Sequence, residues 1–100
     1  MITKQLAEQI VQQTMLRLHR NINVMQTNGV ILASGDELRV NHIHEGAIEV
    51  AKTKSPLRIT KDNNHLFPRT KCGINLPIFY QNEIVGIIGV TGEPADLEEI

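Results

Sequence analysis

Residues 84–91, Ile-Val-Gly-Ile-Ile-Gly-Val-Thr, form the most strongly apolar stretch of the chain. Their isoleucines and valines are β-branched, and such residues favour extended strands. Gly86 and Gly89 interrupt the run, which predicts that another group approaches the strand backbone closely at these positions. The core around this strand must be aliphatic, because the 100 residues include no Trp, one Tyr and two Phe. A chain of this length has room for one such core, so residues 1–100 are predicted to form one domain.

The other patterns alternate between helices and strands. Apolar residues spaced by three and four predict an amphipathic helix over residues 4–19, with Thr3 as its N-cap and Leu6 on its apolar face. Asn28-Gly29 predicts a turn between a strand at 22–24 and a strand at 30–33, the second apolar enough for burial on both faces. The later elements are a helix at 43–53, strands at 57–60 and 74–80, and the start of a helix at 95–100.

This order predicts an α+β fold with a mostly antiparallel sheet and helices to one side of it. Small sensor domains of the PAS and GAF kinds have this layout. Pro77 interrupts the predicted strand at 74–80, which indicates an edge strand or a bulge there.

The charge composition excludes several classes of protein. Ten Lys and Arg against eleven Asp and Glu give a formal charge of -1, which argues against a domain that binds mainly nucleic-acid phosphates. The single cysteine, Cys72, cannot form an internal disulfide. The start of the chain has no signal-peptide pattern, and no apolar run is long enough to span a membrane. We therefore expect a soluble cytoplasmic domain with no membrane partner.

Three groups of residues are candidates for a metal site, a nucleophile and a dinucleotide-binding motif, and none of them matches what that function requires. His42, His44 and Glu45 include two imidazoles and a carboxylate, but a closed metal site usually needs four protein ligands. Cys72 follows a lysine, which favours its thiolate, but no base partner is identifiable. The glycines at 86, 89 and 92 do not fit a dinucleotide-binding fingerprint. No metal, no cofactor and no catalytic residue are therefore predicted.

A concentration of basic residues lies between positions 52 and 71, with Asp62 as its one acid. Two interpretations stay open: solvated loops, or a basic rim above a pocket for an anion. The basic residues are Lys52, Lys54, Arg58, Lys61, Arg69 and Lys71.

Several polar residues lie at the ends of apolar elements, where a fold could bring them together. Arg39 and Lys71 can each meet a carboxylate, and arginine can do so through two parallel hydrogen bonds. The predicted helix near His44 would offer free backbone N–H groups to an anion. Asn75 and Thr91 can hydrogen-bond to hydroxyl groups. Together with Ser34, this set suits a small polyhydroxy acid bound between a helix and the sheet.

Four motifs in order resemble one family. They are Ser-Gly-Asp at 34–36 with Arg39, His-Glu-Gly-Ala at 44–47, Gly-Ile-Asn-Leu-Pro-Ile at 73–78, and the segment 85–94 that ends in Gly-Glu-Pro. Together with the opening helix, they resemble the sugar diacid recognition domain at the N-terminus of the carbohydrate diacid regulators, which are bacterial transcription factors. The resemblance covers essentially the whole chain.

The resemblance implies a PAS-like or Cache-like sensory fold that binds a sugar diacid such as glucarate or galactarate, or glycerate. In full-length members a C-terminal helix-turn-helix region binds DNA, so this chain alone is not expected to contact nucleic acid. The family domain continues in a helix after the Gly-Glu-Pro segment, so the C-terminal helix is expected to be truncated here. The residues expected to contact the ligand are Ser34, Arg39, His44, Lys71, Gly73, Asn75 and Thr91.

Two other functions are weighed against a ligand-sensing module. A dimerisation module would pair the apolar first helix with its copy and bind no small molecule, and a homodimer is also expected of the sensor. A small enzyme would use His44 and Glu45 as acid and base on a hydroxy acid. We predict no enzyme, because no nucleophile, metal set or cofactor motif supports one.

Overall fold

A five-stranded antiparallel sheet forms the centre of the computed structural model, which describes residues 1–97. The strands are β1 (Ile22–Met25), β2 (Ile31–Ser34), β3 (Leu57–Ile59), β4 (Gly73–Tyr80) and β5 (Glu83–Thr91), in the spatial order β2-β1-β5-β4-β3. The helices are α1 (Lys4–Leu18), α2 (Glu45–Thr53) and α3 (Pro94–Leu97), with short 3₁₀ helices at Glu37–Arg39 and Asn64–Leu66. The predicted α+β fold with its antiparallel sheet and flanking helices is confirmed.

The helix α1 begins where its cap predicts. The Thr3 hydroxyl accepts a hydrogen bond from the Leu6 N–H at 3.1 Å, and the helix ends at His19 in the left-handed conformation. Ala7 and Val11 are buried against the sheet. Leu6 is 47% exposed, so its placement on the buried face is wrong. The small Ala7 beside it makes the close contact with the sheet instead.

The two longer helices lie on opposite faces of the sheet. Ile22 and Val24 of β1 pack in one cluster with α1, whereas Met25 of the same strand packs in a second cluster with α2. Because neighbouring strand residues point to opposite faces, the sheet buries side chains on both. The expectation of helices to one side is therefore wrong.

The strand β2 is an edge strand rather than one buried on both faces. Ile31 and Ala33 are buried, but Leu32 and Ser34 are partly exposed. In β4, Pro77 lies beyond the pairing with β3, which ends at Asn75. Its missing N–H therefore costs no hydrogen bond to β3, and an irregularity follows between Ile78 and Phe79.

The far end of the chain is described only in part. Residues 94–97 form α3, and Pro94 and Leu97 are buried. The rest of the helix predicted over 95–100 lies outside the described residues. No helix within residues 1–97 is long and apolar enough to cross a membrane.

Gly29 closes the turn between β1 and β2 in a conformation that disfavours other residues, with φ +92°. A Cβ there would lie 2.7 Å from Ile48 Cγ1, and the Gly29 carbonyl accepts the His44 N–H at 2.8 Å. We expect Gly29→Ala to lower the free energy of unfolding by about 1–3 kcal/mol, measured by urea denaturation. Thr27→Ala, in the exposed part of the same turn, is the control, and equal losses in both variants would contradict this role for Gly29.

Candidate functional site

A narrow cleft, too tight in this structure to admit a water molecule, lies between the start of α2, the 3₁₀ helix Glu37–Arg39 and one end of β1, β4 and β5. Strand pairing forms its floor, because Asn23 of β1 and Asn75 of β4 both pair with Gly89 of β5. The lining residues are Asn23, Arg39, His44, Lys71, Cys72, Gly73, Asn75, Gly89, Val90 and Thr91. None of them is an acid.

Six of the seven predicted site residues line this cleft, and Ser34 does not. Ser34 lies instead in a separate groove of about 530 Å³ between α1 and β2. Its hydroxyl accepts the Asp36 N–H at 3.0 Å, and the Asp36 carboxylate accepts the Leu38 N–H at 3.1 Å. Ser34 thus holds the turn that leads to Arg39 and does not line the cleft itself. Ligand contact by the seven residues stays a prediction.

The buried polar side chains of residues 1–97 all converge on the cleft. Asn23 is 1% exposed, Asn75 is 2% exposed and His44 is 3% exposed, and no other polar or charged residue in this part of the chain is buried. Asn75 has no side-chain hydrogen bond to any described residue. No fully enclosed side-chain nitrogen or oxygen atom within residues 1–97 lacks a hydrogen-bond partner, so the unbonded Asn75 amide reaches the surface of the cleft. Its donors and its acceptor are therefore open to a group from outside the chain.

His44 is held in one tautomer by the helix that it caps. Its Nδ1 accepts the Ala47 N–H at 3.0 Å, so the proton of the neutral ring lies on Nε2. Burial, and after it the positive charge of Arg39, lower the pKa of His44 from 6.5 to about 4. At neutral pH the ring is therefore an uncharged hydrogen-bond donor to the cleft.

Two backbone N–H groups at the start of α2, those of Gly46 and Ala47, are not free for an anion, contrary to the sequence prediction. The Gly46 N–H donates to Thr70 Oγ1 at 3.3 Å, and the Ala47 N–H donates to His44. The loop that precedes β4 is anchored here, since Arg69 also forms an ion pair with Glu45. This loop carries Lys71 and Cys72 to the cleft.

Two cationic side chains contribute to the cleft from different sides. Arg39 is partly buried, and its Nη1 donates to Thr91 Oγ1 at 3.5 Å. Burial lowers the pKa of Arg39, and Asp36 partly offsets this effect. Lys71 is exposed at the mouth. With His44 neutral and no acid in the lining, the cleft is positively charged.

The basic run at 52–71 is mostly not part of this cleft. Lys71 alone of its six basic residues lines it, and Arg69 lines an adjoining cavity of about 190 Å³ together with Arg39 and His42. Lys52, Lys54 and Lys61 are exposed, as the solvated-loop interpretation predicts.

Four lining residues were not predicted from the sequence: Asn23, Cys72, Gly89 and Val90. Asn23 offered one signal, because it is a polar residue between Ile22 and Val24 in a strand that is buried throughout. Gly89 was expected to allow a close approach, and a Cβ there would lie 2.6 Å from Asn75 Oδ1. Within residues 1–97, no group of three metal-ligating side chains comes together.

The structure thus combines an antiparallel sheet with a basic, donor-rich cleft on one of its faces. Residues 2–100 match the family described as "Putative sugar diacid recognition", and the chain belongs to this family. The family is not one of enzymes.

Relatives from three bacteria are similar to the chain. The carbohydrate diacid regulator of Escherichia coli K12 is 40% identical over 94 residues, which are 94% of this chain and 24% of that protein. An uncharacterized protein, YsfB, of Bacillus subtilis 168 is 34% identical over 93% of the chain and 25% of its own length. An uncharacterized protein of Haemophilus influenzae Rd is 33% identical over 98% of the chain and 27% of its own length. The chain thus spans about a quarter of the length of these relatives.

Proposed function

We propose that the cleft binds a sugar diacid or related hydroxy acid, such as glucarate, galactarate or glycerate. The observation that carries this proposal is the convergence of Asn23, His44 and Asn75, buried and incompletely paired, beside two cations and no acid. Carboxylates match the cations, and hydroxyl groups match the amides and the imidazole N–H.

The proposed contacts divide between charge and hydrogen bonding. Arg39 holds one carboxylate through its planar guanidinium, and Lys71 at the mouth attracts a second negative charge. His44 donates from Nε2, and Asn75 and Thr91 bond to hydroxyl groups of the ligand. Gly73 is buried and pairs with Thr91 in the sheet. Because it has no side chain, it leaves the cleft open beside Thr91.

The cleft must widen to admit a ligand. In this structure it leaves no space for even a water molecule, whereas typical ligand sites have roughly 300–1,000 Å³. The loop that carries Lys71 is held over α2 by the Arg69–Glu45 ion pair and the bond from Gly46 to Thr70. We infer that the acid selects a conformation in which this loop and α2 have moved apart.

Such a shift would serve as the signal of a sensor domain. We propose that the chain is the PAS-like or Cache-like sensor of a bacterial transcriptional regulator in the cytoplasm, and that it works as a homodimer. The rest of such a protein would contact DNA and read the altered conformation through the terminal helices.

A dimerisation module without a ligand is the second candidate function. Leu16 on α1 is 68% exposed and Leu6 is 47% exposed, so this helix offers apolar surface to a second copy. Sedimentation and ligand titration separate the two functions. A tight dimer that responds to no acid would favour the module.

Calorimetry of the chain with glucarate, galactarate and glycerate tests the sensor function. We expect heat of binding with at least one acid and slower alkylation of Cys72 by iodoacetamide, because this single cysteine lines the cleft. Sodium chloride at equal ionic strength is the control for non-specific charge effects. No heat at millimolar concentration together with unchanged alkylation would refute the proposal.

A further inference from the structure

Asn23 is a polar residue in a buried strand, and its side-chain amide lines the cleft. Its side-chain Oδ1 accepts a hydrogen bond from Asn21 Nδ2 at 3.1 Å, which orients the amide. Its Nδ2 makes no hydrogen bond to residues 1–97, and because no fully enclosed side-chain nitrogen there lacks a partner, this atom lies at the surface of the cleft that Asn23 lines. Both N–H donors of this amide are therefore available to a group within the cleft.

Asn75 lies across β5 from Asn23, and Gly89 lies between them. Each asparagine pairs with Gly89 in the sheet, so the two amides flank a strand position that has no side chain. A Cβ at Gly89 would lie 2.6 Å from Asn75 Oδ1 and 3.3 Å from Met25 Cε. The absent side chain of Gly89 is what allows the Asn75 carbonyl to lie over β5.

The two amides present opposite hydrogen-bonding groups. Asn23 offers N–H donors, and Asn75 places its carbonyl oxygen nearest to Gly89, although its own N–H donors are unbonded as well. A hydroxyl group both accepts and donates hydrogen bonds, whereas an ionised carboxylate only accepts. A hydroxyl seated between the amides would satisfy both at once.

We propose that Asn23 and Asn75 select hydroxylated acids over their deoxy analogues, and that Gly89 is the positioning residue of this pair. The inference rests on the proposed function and names its specificity. A site built to hydrogen-bond a hydroxyl discriminates strongly against an analogue without it, because the buried polar groups of the site are then left unpaired.

The test compares each acid with its deoxy analogue by calorimetry: adipate for glucarate and galactarate, and propionate for glycerate. We expect Asn23→Leu to weaken binding of the hydroxylated acid by about 10- to 100-fold. Binding of the deoxy analogue should change by less than about 3-fold, because it makes no hydrogen bond to the amide. Asn64→Leu, at an exposed asparagine, is the control that should change neither.

Gly89→Ala provides a second variant that removes no hydrogen-bonding group. Its methyl group would displace the Asn75 amide, so the preference for the hydroxylated acid should fall as it does in Asn23→Leu. If the wild type binds its acid and both folded variants keep the same preference for the hydroxylated acid over its deoxy analogue, this inference alone is overturned. A wild type that binds none of the acids would overturn the proposed function and this inference with it.

Discussion

Arg39→Met is expected to weaken binding of the preferred acid by about 30- to 1,000-fold, because the variant removes the partly buried cation of the cleft. A carboxylate that leaves water for this site then has no opposite charge nearby other than Lys71. Arg39→Lys retains the charge but loses the planar pair of donors, so it should bind with intermediate affinity. Calorimetry with glucarate, galactarate and glycerate measures both effects.

Arg17→Met is the matched control for this substitution. Arg17 lies on α1, and its Nη1 donates to the Gln13 carbonyl at 3.0 Å, on a part of the helix that does not line the cleft. The Arg17→Met variant loses the same positive charge as Arg39→Met, but its cleft is unchanged. Equal loss of affinity in the two arginine variants would show that net charge, and not a contact from Arg39, governs binding.

The stability of the domain is expected to fall by roughly 3 kcal/mol between pH 6.5 and pH 4 through His44 alone. The pKa of His44 is lowered from 6.5 to about 4 in the folded protein, by burial first and by Arg39 second. The unfolded chain therefore binds more protons across this interval, and stability is lost as the pH falls. Protonation also places a hydrogen on Nδ1, which breaks the bond from the Ala47 N–H that caps α2.

Urea denaturation at steps between pH 7 and pH 4 measures this loss of unfolding free energy in the wild type and, for comparison, in His44→Asn. Asparagine also caps helices well but does not titrate, so the variant should lose the contribution of His44 and retain those of all other groups. Arg39→Met should reduce the effect, because the neighbouring charge no longer opposes protonation of His44. Parallel curves for the wild type and His44→Asn would contradict the assignment.

Local sequence patterns predicted the positions of the helices and strands well, but they predicted less well which of their faces are buried. The cap at Thr3, the turn at Gly29 and the strand at 84–91 depend on neighbouring residues, and each is found within a residue or two of its predicted position. The burial of Leu6 was wrong, and so were the full burial of β2 and the placement of both helices on one side. Those properties depend on which strands become neighbours.

The candidate site shows the same division. Arg39, His44 and Asn75 were selected from the sequence because polar groups at the ends of apolar elements often face a common edge, and the structure places them in one cleft. Two N–H groups expected to be free at the start of α2 instead donate hydrogen bonds, Gly46 to Thr70 and Ala47 to His44. A cap supplied from a residue 24 positions away is not visible in local sequence.

The amino-acid sequence by itself determined the secondary structure, the aliphatic core and the family, because these follow from short-range periodicity, turn chemistry and motifs in order. The tertiary structure decided that Asn23 joins the cleft, that Ser34 lies outside it and that Gly89 separates two asparagines. The pairing of β1 with β5 joins residues such as Asn23 and Gly89, which are far apart along the chain. Their register arises only when the whole sheet assembles, so no local pattern specifies which side chains meet there.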